Sequence, residues 1–283
     1  MAKRADYITS ISIDSLWKGR SRISWTLKPE VNILSGVNGK GKTTIINKVV
    51  DHLRHLQQTD EEFAPDGVTI AFSPSEATEV KFDVVRSFDN TMIPASIAAK
   101  LTDGIIRSEL DWRLYELQRR YLDYQVNIGN RMIEILSQGG ADAQAAAMQV
   151  SRQKTDFQDI IDDLFSETCK TINRQSNELQ FLQYGETLSP YRLSSGEKQV
   201  LIILLTVLLQ CNEPCVLLMD EPEVSLHIEW QQRLVRLMRR LNPNVQIILA
   251  THSPAMIMDG WLDAVTEVSE IEDPLLAPPV GGE

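Results

Sequence analysis

The sequence predicts an α/β protein: a core of buried strands and covering helices, an antiparallel β-subdomain, and a helical lobe inserted between two halves of the core. Three observations carry this. Residues 31–34, 215–219 and 245–250 are short, almost continuously apolar runs rich in branched side chains, the pattern of strands buried on both faces. A glycine-rich turn, Gly36-Val37-Asn38-Gly39-Lys40-Gly41-Lys42-Thr43, joins the first of these runs to a helix-patterned stretch. From about residue 94 to 184 the composition shifts to long polar side chains, with Ile, Leu and Tyr recurring at helical spacing.

In chain order, residues 7–12 and 22–25 carry the β-branched, alternating character of strands, with Gly19 as the turn between them. Residues 43–56 read as a helix whose inner side is Ile45, Ile46, Val49, Val50 and Leu53. Pro65-Asp66-Gly67 marks a turn, and the alternating runs 68–72 and 79–85 after it are expected to pair as an antiparallel hairpin. In the central region Ile105, Leu110, Leu114, Leu117, Tyr121 and Leu122 lie at helical spacing, Gly139-Gly140 interrupts, and residues 141–165 resume. A helical hairpin follows, with no heptad sustained over the three or four repeats of a long coiled coil. Helices 197–209 and 228–241 then alternate with strands 215–219 and 245–250. The expected division is 1–93 and 185–270 for the two parts of the core, 94–184 for the insertion, and 271–283 for a flexible tail.

Composition narrows the function. The 283 residues are 43% hydrophobic, enough for a packed core, and the formal charge is −11. That balance argues against a protein that coats nucleic acid by neutralising phosphates. Arg233, Arg236, Arg239 and Arg240 could form a local basic face, although a solvated helix surface is the simpler reading. Cysteine is sparse (Cys169, Cys211, Cys215), as in a reducing cytoplasm, and Cys211 and Cys215 have no second pair with which to hold zinc. No apolar signal core follows the N-terminus. The most apolar run, 200–209, is half of what a bilayer requires, so a cytoplasmic protein without a membrane segment is expected.

The glycine turn sits between a strand and a helix, the context in which backbone N–H groups and a helix N-terminus cradle phosphates. Asn38, Gly39, Gly41, Lys42, Thr43 and Thr44 are the expected contacts of a bound ATP. Lys42 reaches the β- and γ-phosphates, and Thr43 takes a Mg²⁺ position. Asp220 ends an apolar strand, where it holds Mg²⁺ directly or through water. Glu221, one step further, serves as base or orienter of the attacking water. His252, at the tip of strand 245–250, is placed to sense the γ-phosphate. Ser195 and the backbone of Gly196 open the helix 197–209, a second phosphate-facing N-terminus. Since one set of donors already surrounds the phosphates, this segment, with Ser194 and Glu197, is expected to cap the ATP of an opposite subunit in a two-fold dimer.

Together these segments resemble the ABC-type ATPases within the P-loop NTPase fold. Gly36 to Thr44 is similar to their phosphate loop, Leu193-Ser194-Ser195-Gly196-Glu197-Lys198-Gln199 to the signature segment, residues 216–221 to the magnesium strand and base, and 250–253 to the histidine switch. Glu223-Val224-Ser225-Leu226-His227 resembles the loop that crosses between subunits. Glutamate at 197, where transporter ATPases usually carry glutamine, points to the soluble RecF/SMC/OLD-like branch and to stand-alone AAA ATP-binding proteins of bacterial phage-defence operons. Lys40 departs from the serine common at its position, and no glutamine-type magnesium loop is evident. The residues after His252 are too few for an OLD-type nuclease domain, and 94–184 is too short for SMC arms. The resemblance therefore implies a Mg-dependent ATPase whose ATP-driven homodimerisation regulates a separate effector, a nuclease or toxin, in antiviral defence. A DNA-end-sensing ATPase and a transporter energy subunit are the alternatives.

Overall fold

The computed structural model describes residues 3–17, 19–57, 67–86, 106, 108–140 and 142–274. Strands β1 (Arg4–Ala5), β2 (Tyr7–Leu16) and β3 (Ser21–Thr26) come first. Strand β4 (Val31–Ser35) enters the glycine turn and helix α1 (Lys42–Gln57) leaves it. Next come β5 (Val68–Ser73), β6 (Glu79–Val80) and β7 (Phe82–Arg86). The long helices α2 (Glu109–Gln138) and α3 (Ala143–Leu164) precede three short strands, β8 (Lys170–Ile172), β9 (Phe181–Gln183) and β10 (Glu186–Leu188). The chain continues through α4 (Ser195–Leu208), β11 (Cys215–Asp220), α5 (Ile228–Leu241) and β12 (Val245–Ala250). It closes with β13 (Val265–Glu267), α6 (Val268–Ile271) and β14 (Glu272–Pro274).

Two compact units result. The first holds residues 1–87, 213–223 and 244–283. Its centre is a five-stranded, all-parallel sheet in the order β13-β4-β12-β11-β7. Strands β11 and β12 are buried at every residue, as inner strands of a parallel sheet must be. A second, antiparallel sheet, β14-β3-β2-β5, supplies Ile8, Ile11, Ile13 and Ile23 to a core shared with Ile45, Ile46, Val49 and Val50 of α1 and with Val216, Leu218 and Ile248. One polar side chain ties the two sheets. Gln246 is fully buried; its amide donates to the Ile8 and Lys28 carbonyls, and its oxygen accepts from the Ile8 N–H, each at 2.8 Å. These bonds form where the pairing of β2 with β5 shifts between Ile8 and Ser10.

The second unit holds residues 88–212 and 224–243. Helix α2 packs on α3 and α4, and α3 packs on α5. Ser108 and Asp111 form a capping box at the start of α2, and Asp111 also pairs with Lys198 of α4 at 2.8 Å. An aromatic cluster joins Phe165 to Phe181 and Trp230, at ring separations of 5.6 and 5.7 Å.

The predicted α/β class, antiparallel subdomain and helical lobe are all present. The hairpin expected from 68–72 and 79–85 is not. Strand β5 pairs antiparallel with β2, whereas β7 crosses into the parallel sheet beside β11. The fully buried β11 needs a neighbour on each side, and β7 covers its open edge. The tail expected from residue 271 begins instead with β14, antiparallel to β3; residues 275–283, and the helical reading of 94–105, fall outside the described residues. Replacing Gln246 by leucine should cost about 3 kcal/mol by orphaning buried backbone groups of Ile8 and Lys28. Urea unfolding monitored by circular dichroism measures it, and a cost near zero would remove Gln246 as the tie between the sheets.

Candidate functional site

Strands β4, β12 and β11 end at one level, with Leu34, Ala250 and Asp220 in register, and the predicted residues emerge there. Beyond β4 the turn takes Gly41 to φ +89°. A Cβ at Gly41 would stand 2.6 Å from the Trp17 indole, so both the conformation and the approach require glycine. Helix α1 starts at Lys42, whose nearly buried side chain folds back to donate to the Gly36 carbonyl at 2.7 Å. Asn38, Gly39, Thr43 and Thr44 are exposed. With Trp17, Gly41, Lys42 and Glu221 they line a cavity of about 220 Å³. A larger cavity, about 770 Å³, belongs to the helical unit, among Tyr124, Gln153 and Arg240, and holds none of the motif residues.

The acidic residues divide by environment. Asp220 is buried and accepts from the Thr43 hydroxyl at 3.1 Å. Burial pushes its carboxyl up from the usual range, the Thr43 bond opposes this, and the Glu221 charge adds to it. Glu221 sits at φ +47°, in the left-handed region, with its N–H donating to the Ala250 carbonyl at 2.9 Å. Such a conformation in a non-glycine residue costs on the order of 1–3 kcal/mol and turns the carboxylate off the strand line. Its Oε1 lies 3.4 Å from Nδ1 of His252, which is half exposed. Glu223 is buried and holds the switch loop by accepting from the Thr251 hydroxyl and, at 3.2 Å, from the His252 N–H.

Lys42, Thr43, Asp220, Glu221 and His252 thus meet within one unit. Ser194, Ser195, Gly196 and Glu197 belong to the other, and most of them have work in their own chain. Ser194 and Glu197 form the capping box of α4: the Ser194 hydroxyl accepts from the Glu197 N–H, and the carboxylate accepts from the Ser194 N–H. Gly196 packs against the backbone of the 223–227 loop, where a Cβ would fall 2.4 Å from the Ser225 carbonyl oxygen. Ser195 is exposed on the first turn. The glutamate at 197 has a partner that its motif does not reveal: Lys170 donates to it at 2.7 Å and Thr168 at 3.0 Å, with both side chains of the ion pair nearly buried. Sequence reasoning also passed over Trp17, whose only local sign was an aromatic beside a turn, and Glu223, seen only as part of a loop motif.

This fold is that of an ABC-type ATPase of the RecF/SMC-like branch. The chain belongs to the family described as "AAA domain, putative AbiEii toxin, Type IV TA system", whose profile matches residues 75–259. It is 24% identical over 187 residues to the "Retron Vc95 probable ATPase" of Vibrio cholerae, a match covering 61% of this chain and 35% of that protein. Over 58 residues it is 33% identical to the Septu protein PtuA of Bacillus thuringiensis, covering 20% of this chain and 15% of the relative. The chain thus spans about a third or less of the curated relatives it matches. Among solved structures, the SMC head bound to the C-winged helix domain of ScpA superposes with a TM-score of 0.51 at 13% identity, over 89% of this chain and 91% of that one. That likeness shows the fold alone. Among the described residues no helix is long and apolar enough to cross a membrane.

Burial raises the Glu197 carboxyl, but hydrogen bonds from Lys170, the Ser194 backbone and Thr168 outweigh it and hold the group below the usual carboxylate range. A depressed carboxylate stabilises the fold above its unfolded value and loses that contribution as pH falls through the folded one. Glu197→Gln should therefore cost about 2 kcal/mol at pH 7, and the difference from the parent should close below about pH 4. Thermal melting across pH tests this; a gap that stays constant into acid would show that Glu197 acts by packing alone.

Proposed function

We propose that the chain hydrolyses ATP with Mg²⁺, that ATP closes two copies around composite sites, and that the cycle regulates a separate effector. The observation that carries this is the meeting of Lys42, the Thr43–Asp220 pair, and Glu221 with His252 at the ends of three registered strands. Lys42 would exchange its bond to Gly36 for β- and γ-phosphate oxygens, and the first turn of α1 would direct N–H groups at the same anion. Asn38, Gly39, Gly41 and Thr44 complete the cradle. Trp17 offers an indole face for the base. Thr43 and Asp220 suit Mg²⁺, a hard cation that keeps several waters and needs few protein oxygens, and a buried carboxylate pushed upward gains from a nearby cation. The ion would neutralise charge on the phosphates. Glu221 accepts a proton from the attacking water or orients it, and His252, held by Glu223 and half exposed, faces the γ-phosphate.

The exposed Ser195 and the N-terminus of α4 would then close the ATP of the second copy, with Ser194, Gly196 and Glu197 shaping that end. The core parts 1–93 and 185–270 would form the head, and the insertion 94–184 would link it to the effector. A toxin partner is supported by the family description, which names a type IV TA system; a nuclease in its place, and a role in bacterial antiviral defence, rest on the resemblance of the motifs to stand-alone ATPases of phage-defence operons. One feature favours a second reading, direct action on nucleic acid. The larger cavity is lined by Arg131, Arg152 and Arg240 around the single carboxylate Asp156. Stimulation of ATPase activity by DNA, falling steeply with salt, would decide for it.

Four variants test the main reading. Glu221→Gln should accumulate an ATP-bound dimer by light scattering; a monomer at every reachable concentration with Mg-ATP would refute reciprocal closure. Lys42→Ala and Ser195→Arg should each lose about 10²–10³-fold in turnover. Mixed together they should recover up to about half of the parent rate, because the heterodimer has one site with both lesions and one with neither. No recovery despite demonstrated mixed dimers would overturn the placement of Ser195 at the partner's ATP, if one intact site turns over alone. Trp17→Ala should weaken nucleotide binding by about 1–3 kcal/mol with turnover at saturation little changed. Unaltered affinity in fluorescence titration would remove the base from the indole.

A further inference from the structure

Helix α2 carries two apolar faces, and the fold uses one. Leu114, Leu117, Tyr121 and Tyr124 are buried. On the outer side Leu122, Val126, Ile133 and Leu136 are 36%, 60%, 67% and 51% exposed. With Gly129 among them, the positions advance by four, three, four and three residues, the seam period of paired helices. Among the described residues nothing packs at Gly129: a Cβ there would meet nothing within 4 Å, and glycine inside a helix lowers its stability. A helix lying across the stripe supplies the missing reason.

We propose that this stripe pairs with the same stripe of a second copy, antiparallel, about a two-fold axis at the level of residue 131. In an antiparallel seam Val126 meets Leu136 of the second copy, and Ile133 enters the space over Gly129 of the second copy. The axis repeats both contacts. A parallel pairing would oppose Gly129 to itself and leave a void. The flanking residues fit a copy as well. Asp123 comes opposite Ser137, Asn130 opposite Asn130 and Met132 opposite Met132, so no like charges face each other in a chain of net charge −11. A basic partner helix would need acidic flanks, and Asp123 is the one carboxylate beside the seam. From residue 126 to 136 the paired seam runs about 15 Å, Leu122 coming level with Gly140 beyond the end of the helix. It lies at or below the roughly 1,200 Å² edge of stable complexes, so the association is weak alone, with Kd on the order of micromolar.

The contact needs no nucleotide and stands apart from the ATP-closed dimer. Sedimentation of the full chain carrying Lys42→Ala, without ATP, should show a monomer–dimer equilibrium at tens of micromolar, about tenfold or more weakened by Ile133→Glu. Gly129→Leu is the discriminating variant: it should raise the melting temperature, as any exposed helical glycine replaced by leucine would, yet weaken association. In a background with Cys169 and Cys211 changed to serine, Asn130→Cys should crosslink to itself through a short bis-maleimide, and Asn127→Cys, on the outer face, should not. A nucleotide-free monomer at hundreds of micromolar, well above the expected Kd, would overturn the proposal. So would self-association that neither Ile133→Glu nor Gly129→Leu alters.

Discussion

The register of three parallel strands is the constraint on which the rest of this structure depends. Leu34, Ala250 and Asp220 are direct neighbours across β4, β12 and β11, so the glycine turn, the histidine loop and the acidic pair leave the sheet at the same height. The Glu221 N–H continues the ladder to Ala250, and the Thr251 N–H does the same to Leu34, so the first residue beyond each strand is still held by its neighbour. A slip of one residue would invert every side chain on strands buried on both faces. The observed register of β4, β12 and β11 thus sets the relative placement of Lys42, Asp220 and His252.

That placement gathers negative charge. Asp220, Glu221 and Glu223 lie within four residues, and the first and third are buried. Each is handled differently: Asp220 has a threonine hydroxyl and a carboxyl pushed upward, Glu221 is turned toward His252 by a left-handed backbone, and Glu223 is spent on the switch loop. On the proposed reading, a bound cation would add to the Thr43 hydrogen bond and the Arg86 charge that already oppose the burial of Asp220.

Much of this was legible in the sequence because it is local. Apolar runs, the glycine turn and the helical periodicities of α1 and α5 are decided by residues adjacent in the chain, and they fall within a residue or two of their expected bounds. Nonlocal matters were not legible. The alternation at 79–85 fits a hairpin as well as a parallel edge strand, and only the edge of β11 that β12 does not pair decides between them. Trp17 approaches the glycine turn from the far end of β2, and Lys170 reaches Glu197 from strand β8; neither position has a motif of its own. In α2 the buried and exposed apolar residues overlap in sequence, so they read as one broad amphipathic face until packing separates them.

Glu197 shows why a motif residue can keep its place while its physical role is hidden. It closes the capping box of α4, and a glutamine could accept the same backbone hydrogen bond. Charge becomes necessary only because Lys170 and Thr168 converge on the carboxylate in a nearly buried position, where an unpaired ammonium would be costly. Glutamate thus locks the short strand β8 to the N-terminus of α4. Ser195 is exposed while the two residues around it hold the structure, Ser194 capping the helix start and Gly196 packing on the backbone of Ser225. On the proposed reading, rigidity at this helix end would favour closure against a second copy, since a donor that had to be ordered on contact would give up affinity to entropy.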